Sequence, residues 1–293
     1  MPRARNTPGI LSAFIFFAMA APAFSAPQVQ SIGPGLYAYI SDNDSSANST
    51  FLVGAKEILV VDTGLNQQEG QKLLHAIRDV SPLPIQYIVN THYHPDHQGG
   101  NSTVGPSAVV INTDWTRERT LEVMGTLPAS ERGRFRAADL TFQQRITVHL
   151  DPYEADIYFP GKAHTSGDAL VYFPHQKAIA MGDLFLNRSS PAMDQGSVKS
   201  WIEALDAALK LPIDHVVPGH FELATKADLT RFRNYVNDLY QQVYSLSQKG
   251  ATLEQVKASI HMEQYQDFRQ YPKYEATFAD NAATIYRQIK EQH

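Results

Sequence analysis

The chain has 293 residues, 43% hydrophobic and 19% charged, enough for one large or two small cores, and no uninterrupted apolar run inside it is long enough for an internal membrane span. Its 25 basic and 30 acidic side chains leave a net charge of -5, which argues against nucleic acid as a partner, for which a basic face is expected. It contains no cysteine, which excludes disulfides and restricts any metal site to nitrogen and oxygen ligands.

At the N-terminus Arg3 and Arg5 precede the apolar run Ile10 to Ala21, and the small residues Ala21, Ala23 and Ser25 follow. That order is expected of a secretory signal peptide over residues 1–25, cut after Ser25 or Ala23. The apolar run is short for an uncleaved anchor. The mature protein is therefore expected to be periplasmic or secreted, with no stable membrane span.

Strand-like runs open the mature chain at Leu36–Ile40, Thr50–Val53 and Glu57–Val61, the last two joined by a Gly54-Ala55-Lys56 hairpin. Asn66 caps a predicted helix over Gln67 to Val80 with Leu73, Leu74, Ile77 and Val80 on one face. The strand Ile85–Val89 runs straight into the tract Thr91 to Asn101, and Ala108–Ile111 is a further short strand. Residues 113–145 read as a polar, helical insertion over the strand ends with no clear apolar stripe. Strands are then expected at Ile146–Leu150, Asp156–Phe159, Leu170–Phe173, Ala178–Met181 and His215–Val217. Ser200 and Glu203 have the spacing of a capping box opening a helix with Trp201, Leu205 and Leu209 inward. Beyond residue 225 the spacing of Leu229, Phe232, Val236, Leu239, Val243 and Leu246 predicts one long amphipathic helix. Another starts at Thr252 with Gln255, and a last covers Asn281 to Gln292. The expected organisation is a domain over 26–224 with a helical extension over 225–293. Two strand-rich halves carrying helices suggest two sheets face to face with helices outside.

The tract THYHPDHQGGN places His92, His94, Asp96 and His97 within six residues. In an extended strand end His92 and His94 face the same side. Pro95 then breaks the alternation and lets Asp96 and His97 turn to a second point, while Gly99 and Gly100 relieve the crowding of the return. The spacing suits two neighbouring ions. Three more candidates lie at strand termini, where side chains from separate strands converge: His164 in a glycine-flanked loop, Asp183 after an apolar strand, and His220 after Pro218-Gly219. A lone histidine such as His220, or an acid such as Asp183, is more often a packed or capping residue; the series as a whole carries the reading. His75, His149, His175, His215, His261 and His293 carry no functional reading, and Lys162 and Asp168 read as loop residues.

His92-x-His94-x-Asp96-His97, then His164, Gly182-Asp183 and Pro218-Gly219-His220, with Val61-Asp62-Thr63-Gly64 near the start, resemble the metallo-β-lactamase superfamily over residues 30–222. The resemblance implies an α/β fold, a four-layered αββα sandwich with the C-terminal helical extension added, and a dinuclear site at one edge of the sheets. It implies His92, His94 and His164 on a first metal, Asp96, His97 and His220 on a second, Asp183 bridging both, and Asp62 supporting the histidine loop from behind. The implied cofactor is two divalent cations, zinc first, with iron and manganese also suited to these donors. Such a pair supplies hydroxide near neutral pH, and Asp96 is the residue expected to orient it in catalysis. The absence of cysteine excludes the lactamases that use one on the second metal, and a bridging Asp183 makes the ligand set similar to that of glyoxalase II and the lactonases. The expected activity is therefore an exported dinuclear zinc hydrolase of an ester, thioester or lactone, with β-lactam hydrolysis as the alternative and iron-dependent oxidoreduction as a third reading. The expected partner is a small-molecule substrate, and no oligomeric state is legible. Trp115, Tyr265 and Tyr271 are candidate walls of the substrate pocket, although packing between insertion and tail is the favoured reading of all three.

Overall fold

The uninterrupted apolar run Ile58-Leu59-Val60-Val61 has the pattern of a strand covered on both faces. In the computed structural model, which describes residues 27–270 and 274–291, all four of these residues are buried inside a seven-stranded sheet. The expected signal peptide and Tyr271 lie outside the described residues. The first sheet takes its strands in chain order: β1 (Gln28–Gly33), β2 (Leu36–Ile40), β3 (Ser49–Val53), β4 (Ile58–Val61), β5 (Ile85–Val89), β6 (Val109–Thr113) and β7 (Leu140–Phe142). It is antiparallel as far as β4 and parallel from there on. The second sheet holds β8 (Arg145–Leu150), β9 (Tyr153–Tyr158), β10 (Leu170–Phe173), β11 (Ala178–Ala180) and β12 (His215–Val217), with β12 parallel to β11 and the rest antiparallel.

The helices are α1 (Gln67–Val80), α2 (Pro95–Gln98), α3 (Asn101–Val104), α4 (Asp114–Thr126), α5 (Ala129–Arg132), α6 (Val198–Leu209), α7 (Lys226–Gln248), α8 (Leu253–Ser259) and α9 (Tyr274–Glu291). None of those described is long and apolar enough to cross a membrane.

Strand alternation sorts the apolar residues into three cores. Leu59 and Val61 point between the sheets, where they meet Val89, Ile111, Ile157, Val171 and Phe173. Ile58 and Val60 point outward onto Leu73 and Ile77 of α1. On the far side Ile179 and Val216 meet Trp201 and Leu205 of α6, and the same core takes in Phe232, Val236 and Leu239 of α7 and Ile285 of α9. Helix, sheet, sheet, helix is the expected four-layered sandwich. The helices after residue 225 share the outer core of the second sheet and do not form a core of their own.

The structure departs from the sequence expectations in four places. β1 is an additional strand, returned onto β2 by the Pro34-Gly35 turn; Gly35 has φ 69°. Residues 113–145 are more than an insertion: they contribute α4, α5 and β7, which extends the first sheet in parallel beside β6. The capping box at Ser200 and Glu203 is displaced, because α6 begins one turn earlier on Ser197, whose side chain accepts from Ser200 N. α9 begins at Tyr274, ahead of the expected Asn281. The Thr252–Gln255 capping box does form. Tyr265 packs between Tyr235 and Phe268 and donates to Asp238 at 2.7 Å, a packing residue of the tail.

Candidate metal centre

Every candidate ligand sits on a connection between strands, in a loop, in the short helix α2 or on a 3-10 turn. The tract after β5 turns at once into α2, and two glycines make that return possible. A Cβ on Gly99 would stand 2.0 Å from Leu65 O, and one on Gly100 2.1 Å from Thr63 O. Asp62, at the end of β4 with φ 56°, ties the tract down from behind. Its Oδ1 accepts from Thr91 N at 2.8 Å, and its Oδ2 accepts from Thr91 Oγ1 at 2.8 Å and from His97 Nδ1 at 2.8 Å.

His164 lies in the loop before β10, and that loop is pinned by Asp168, which is fully buried. The Asp168 carboxylate accepts from Thr165 N at 2.9 Å, Thr165 Oγ1 at 2.6 Å and Ala163 N at 3.3 Å. Burial pushes this carboxyl up to about 7 against the pull of those donors. The sequence alone leaves Asp168 as a loop residue; the Thr165-x-x-Asp168 spacing is the local signal of such a turn. Asp183 follows β11 on the short 3-10 turn Gly182–Leu184. His220 follows β12 behind Gly219, where a Cβ would meet Asp183 Oδ1 at 2.1 Å.

These loops bring the side chains into two adjoining groups whose ligand atoms lie within 4.8 Å of one another: His92, His94, His164 and Asp183, and Asp96, His97, Asp183 and His220. In the first, His94 Nδ1 is 3.0 Å from His92 Nε2 and 3.1 Å from His164 Nε2, and Asp183 Oδ2 is 3.6 Å from His164 Nε2. In the second, Asp183 Oδ1 is 3.2 Å from His97 Nε2 and 3.5 Å from His220 Nε2, while Asp96 Oδ2 lies 3.1 Å from His220 Nε2 and 3.5 Å from His97 Nε2. Asp183 thus turns one oxygen to each group.

The outward ring nitrogens decide what the inward ones are. Thr91 Oγ1 gives its proton to Asp62, so it accepts from His92 Nδ1 at 3.1 Å. Ala192 O accepts from His164 Nδ1, and Gln195 Oε1 from His94 Nε2, both at 3.1 Å. With those protons turned outward, the three nitrogens that face one another carry lone pairs. Lone pairs converging at about 3 Å repel unless a cation lies between them. Among the described residues, His97 Nε2 and Asp183 Oδ1 are buried atoms without a hydrogen-bond partner, a second place where a cation fits.

Charge follows the same division. Burial, with the neighbouring imidazoles, holds His92 well below the usual histidine range, and burial brings His164 down to about 4 against Asp183. For His97 burial works downward too, but Asp62, Asp183 and Asp96 together raise it well above that range. His220 is likewise raised against its burial by Asp183 and Asp96. Protonation is thus disfavoured at His92 and His164 and favoured at His97 and His220. The two clusters fit a dinuclear metal site.

The structure brings together all the side chains singled out as ligands, with Asp62 behind them. Trp115 stands beside the site, edge-on to Tyr93 at 5.6 Å, and Tyr93 lies against His94 at 4.7 Å. Gln195, which also accepts from Tyr93 Oη at 2.6 Å, carries no signal in the sequence because its partners are about a hundred positions away.

The sequence pattern of the metallo-beta-lactamase superfamily matches residues 42–220, and the chain belongs to that superfamily. It is similar to the alpha subunit of 2,4-dinitroanisole O-demethylase from Nocardioides sp. (strain JS1661), 29% identical over 170 residues, covering 57% of this chain and 50% of that protein. It is 22% identical over 226 residues to a metallo-beta-lactamase type 2 of Elizabethkingia meningoseptica, covering 73% of this chain and 86% of that one. Among solved structures, a metallo-beta-lactamase from Pontibacter korlensis has a TM-score of 0.62 at 22% identity over 72% of this chain and 99% of its own. A double mutant of the sec-alkyl sulfatase PisA1 has 0.70 at 17% identity over 89% of this chain and 50% of its own. At these identities the solved structures share the fold. The chain spans half the length of the O-demethylase subunit.

Proposed function

We propose that the chain is an exported hydrolase of ester, thioester or lactone bonds that works with two divalent cations, zinc first among them. The observation that carries this reading is Asp183, whose two carboxylate oxygens are divided between the two ligand groups. The reading places His92, His94 and His164 on one cation, Asp96, His97 and His220 on the other, and Asp183 between them. All donors are nitrogen or oxygen, which also suits iron and manganese.

When bound, such a cation pair brings a shared water to a pKa of about 7 and polarises the bond under attack. The chain's own groups supply the rest. Asp96 is the more open carboxylate, its side chain 23% exposed against 12% for Asp183. It engages His97 and His220 through Oδ2, leaving Oδ1 to accept a proton from the attacking water and steer it. Asp62 holds His97 Nδ1–H outward and turns the opposite nitrogen toward the cation's position. Tyr93 and Trp115 stand beside His94 with the Arg119 guanidinium over both rings. Export is supported by the charged, apolar and small-residue order of residues 1–25, and the division at 224/225 by the change from sheets to helices.

β-Lactam hydrolysis is the second reading, favoured by two metallo-beta-lactamases among the relatives, which cover 73% and 64% of this chain. One experiment separates the two. The zinc-loaded mature chain is assayed on aryl esters, acyl thioesters, lactones and nitrocefin, before and after chelation. Turnover of the acyl substrates that disappears with chelator and returns with zinc is the expected result. Nitrocefin opened far faster than every acyl substrate would replace this reading with the lactamase one.

A further inference from the structure

One loop supplies the outward partners of two imidazoles in the first ligand group. Ala192 O accepts from His164 Nδ1, and Gln195 Oε1 accepts from His94 Nε2. Neither partner lies in a strand or helix, so something else must hold the loop. That support comes from the C-terminal helix on its far side. Asn281, 1% exposed, accepts from Met193 N at 3.0 Å and donates to Ser190 Oγ at 3.0 Å and to Pro191 O at 2.7 Å. Gln288 lies two helical turns further along the same face. It accepts from Val198 N at 3.1 Å and donates to Gly196 O at 2.9 Å. The loop is therefore clamped at both ends by α9, with Ala192 and Gln195 between the clamps.

We propose that α9 is the positioning element of the first cation. Asn281 and Gln288 fix the loop, and the loop sets His164 to its Nδ1–H form and His94 to its Nε2–H form, so that bare nitrogens face the cation. Anchoring the helix does not require these amides. Ala282, Ile285 and Ile289 already bury that face, and a buried amide stabilises nothing unless its hydrogen bonds are made. In the second ligand group His97 takes its outward partner from Asp62, just after β4 and away from the loop. The loop thus serves the first group only, whereas Asp62 holds His97 directly and reaches His92 through Thr91. This inference rests on the two-cation reading above, and both clamp residues are positioning residues that touch no ligand atom.

The test uses the full mature chain with Asn281→Asp and Gln288→Glu, which keep the accepting oxygen and remove the donors. Gln195→Ala serves as an exposed variant that does not threaten folding. Lys290→Ala is the control on the same helix, its ammonium lying 5.6 Å over the Tyr286 ring. Stepwise zinc titration against a chelator is expected to show one of two binding steps weakened about 10-fold or more and the other held within about two-fold, with no change for Lys290→Ala. Both steps weakened alike, or neither changed, would overturn the proposal. Nitrogen-15 spectra of histidine in metal-free protein give a second reading. The His94 Nε2–H and His164 Nδ1–H forms of the parent chain are expected to become mixtures in the clamp variants, and unchanged tautomers would sink the idea. A parent chain that takes up no zinc defeats the two-cation reading alone, because the tautomers still decide whether α9 sets the rings.

Discussion

Asp62 concentrates the logic of the site in one side chain. It holds an unfavourable positive φ, and in return one carboxylate accepts three hydrogen bonds that fix Thr91 and His97 together. Asp62→Asn keeps the backbone conformation, which asparagine tolerates, but cannot accept from both Thr91 Oγ1 and His97. The second cation is expected to bind about 10–100-fold more weakly in that variant, read by chelator competition, with a smaller loss at the first, which Asp62 reaches through Thr91 and His92. The acids around the second group also predict a pH dependence. His97 and His220 hold protons more firmly than free imidazole, and a cation must displace those protons. Loading of the second site should therefore fall as pH falls through the raised histidine range and recover on the alkaline side, followed by cation titration across a pH series. Loading indifferent to pH would mean that those imidazoles are not ligands.

At the level of elements, each ligand owes its position to a loop whose shape is set by bonds to its own or a neighbouring backbone. The His164 loop is the clearest case. Asp168→Ala removes the acceptor of Thr165 N and Thr165 Oγ1 in the interior, while Ala163 N keeps Thr165 O, a loss of about 1–3 kcal/mol per unpaired group. A lowered unfolding midpoint together with weaker first-cation binding is the expected outcome, measured by denaturant titration and chelator competition. The candidate ligands themselves were legible because histidine and aspartate at strand ends are few and chemically distinctive. Asp168 and Gln195 were not, since a turn acid and an exposed amide look ordinary until their partners are known. The same contrast holds for the strands. β2, β5, β10 and β12 follow from compact apolar runs, whereas β7 is three residues long, half exposed, and exists only because β6 offers it an edge.

The whole molecule is held together across the boundary near residue 225. Leu229, Phe232, Val236, Leu239 and Val243 of α7 are fully buried against α6 and the second sheet. Burying each such side chain contributes about 1.5–3 kcal/mol, a sum comparable to the entire stability of an ordinary domain. A chain ending at residue 224 is thus expected to expose the outer face of α6 and to aggregate or unfold, which expression and circular dichroism would reveal. A soluble, folded, zinc-binding truncation would show that the helical extension is dispensable. The sequence by itself determined the chemistry of the centre, because ligand types, their spacing across Pro95 and the glycines beside them are local properties of the chain. It also determined most strands and the long helix, through apolar periodicity. Only the tertiary structure decided that Asp183 divides its oxygens between two groups, that β7 completes the first sheet, and that α9 reaches the loop behind His94 and His164. Each of these is a contact between segments far apart in the chain, and no local pattern encodes the partner until packing brings it within hydrogen-bonding distance.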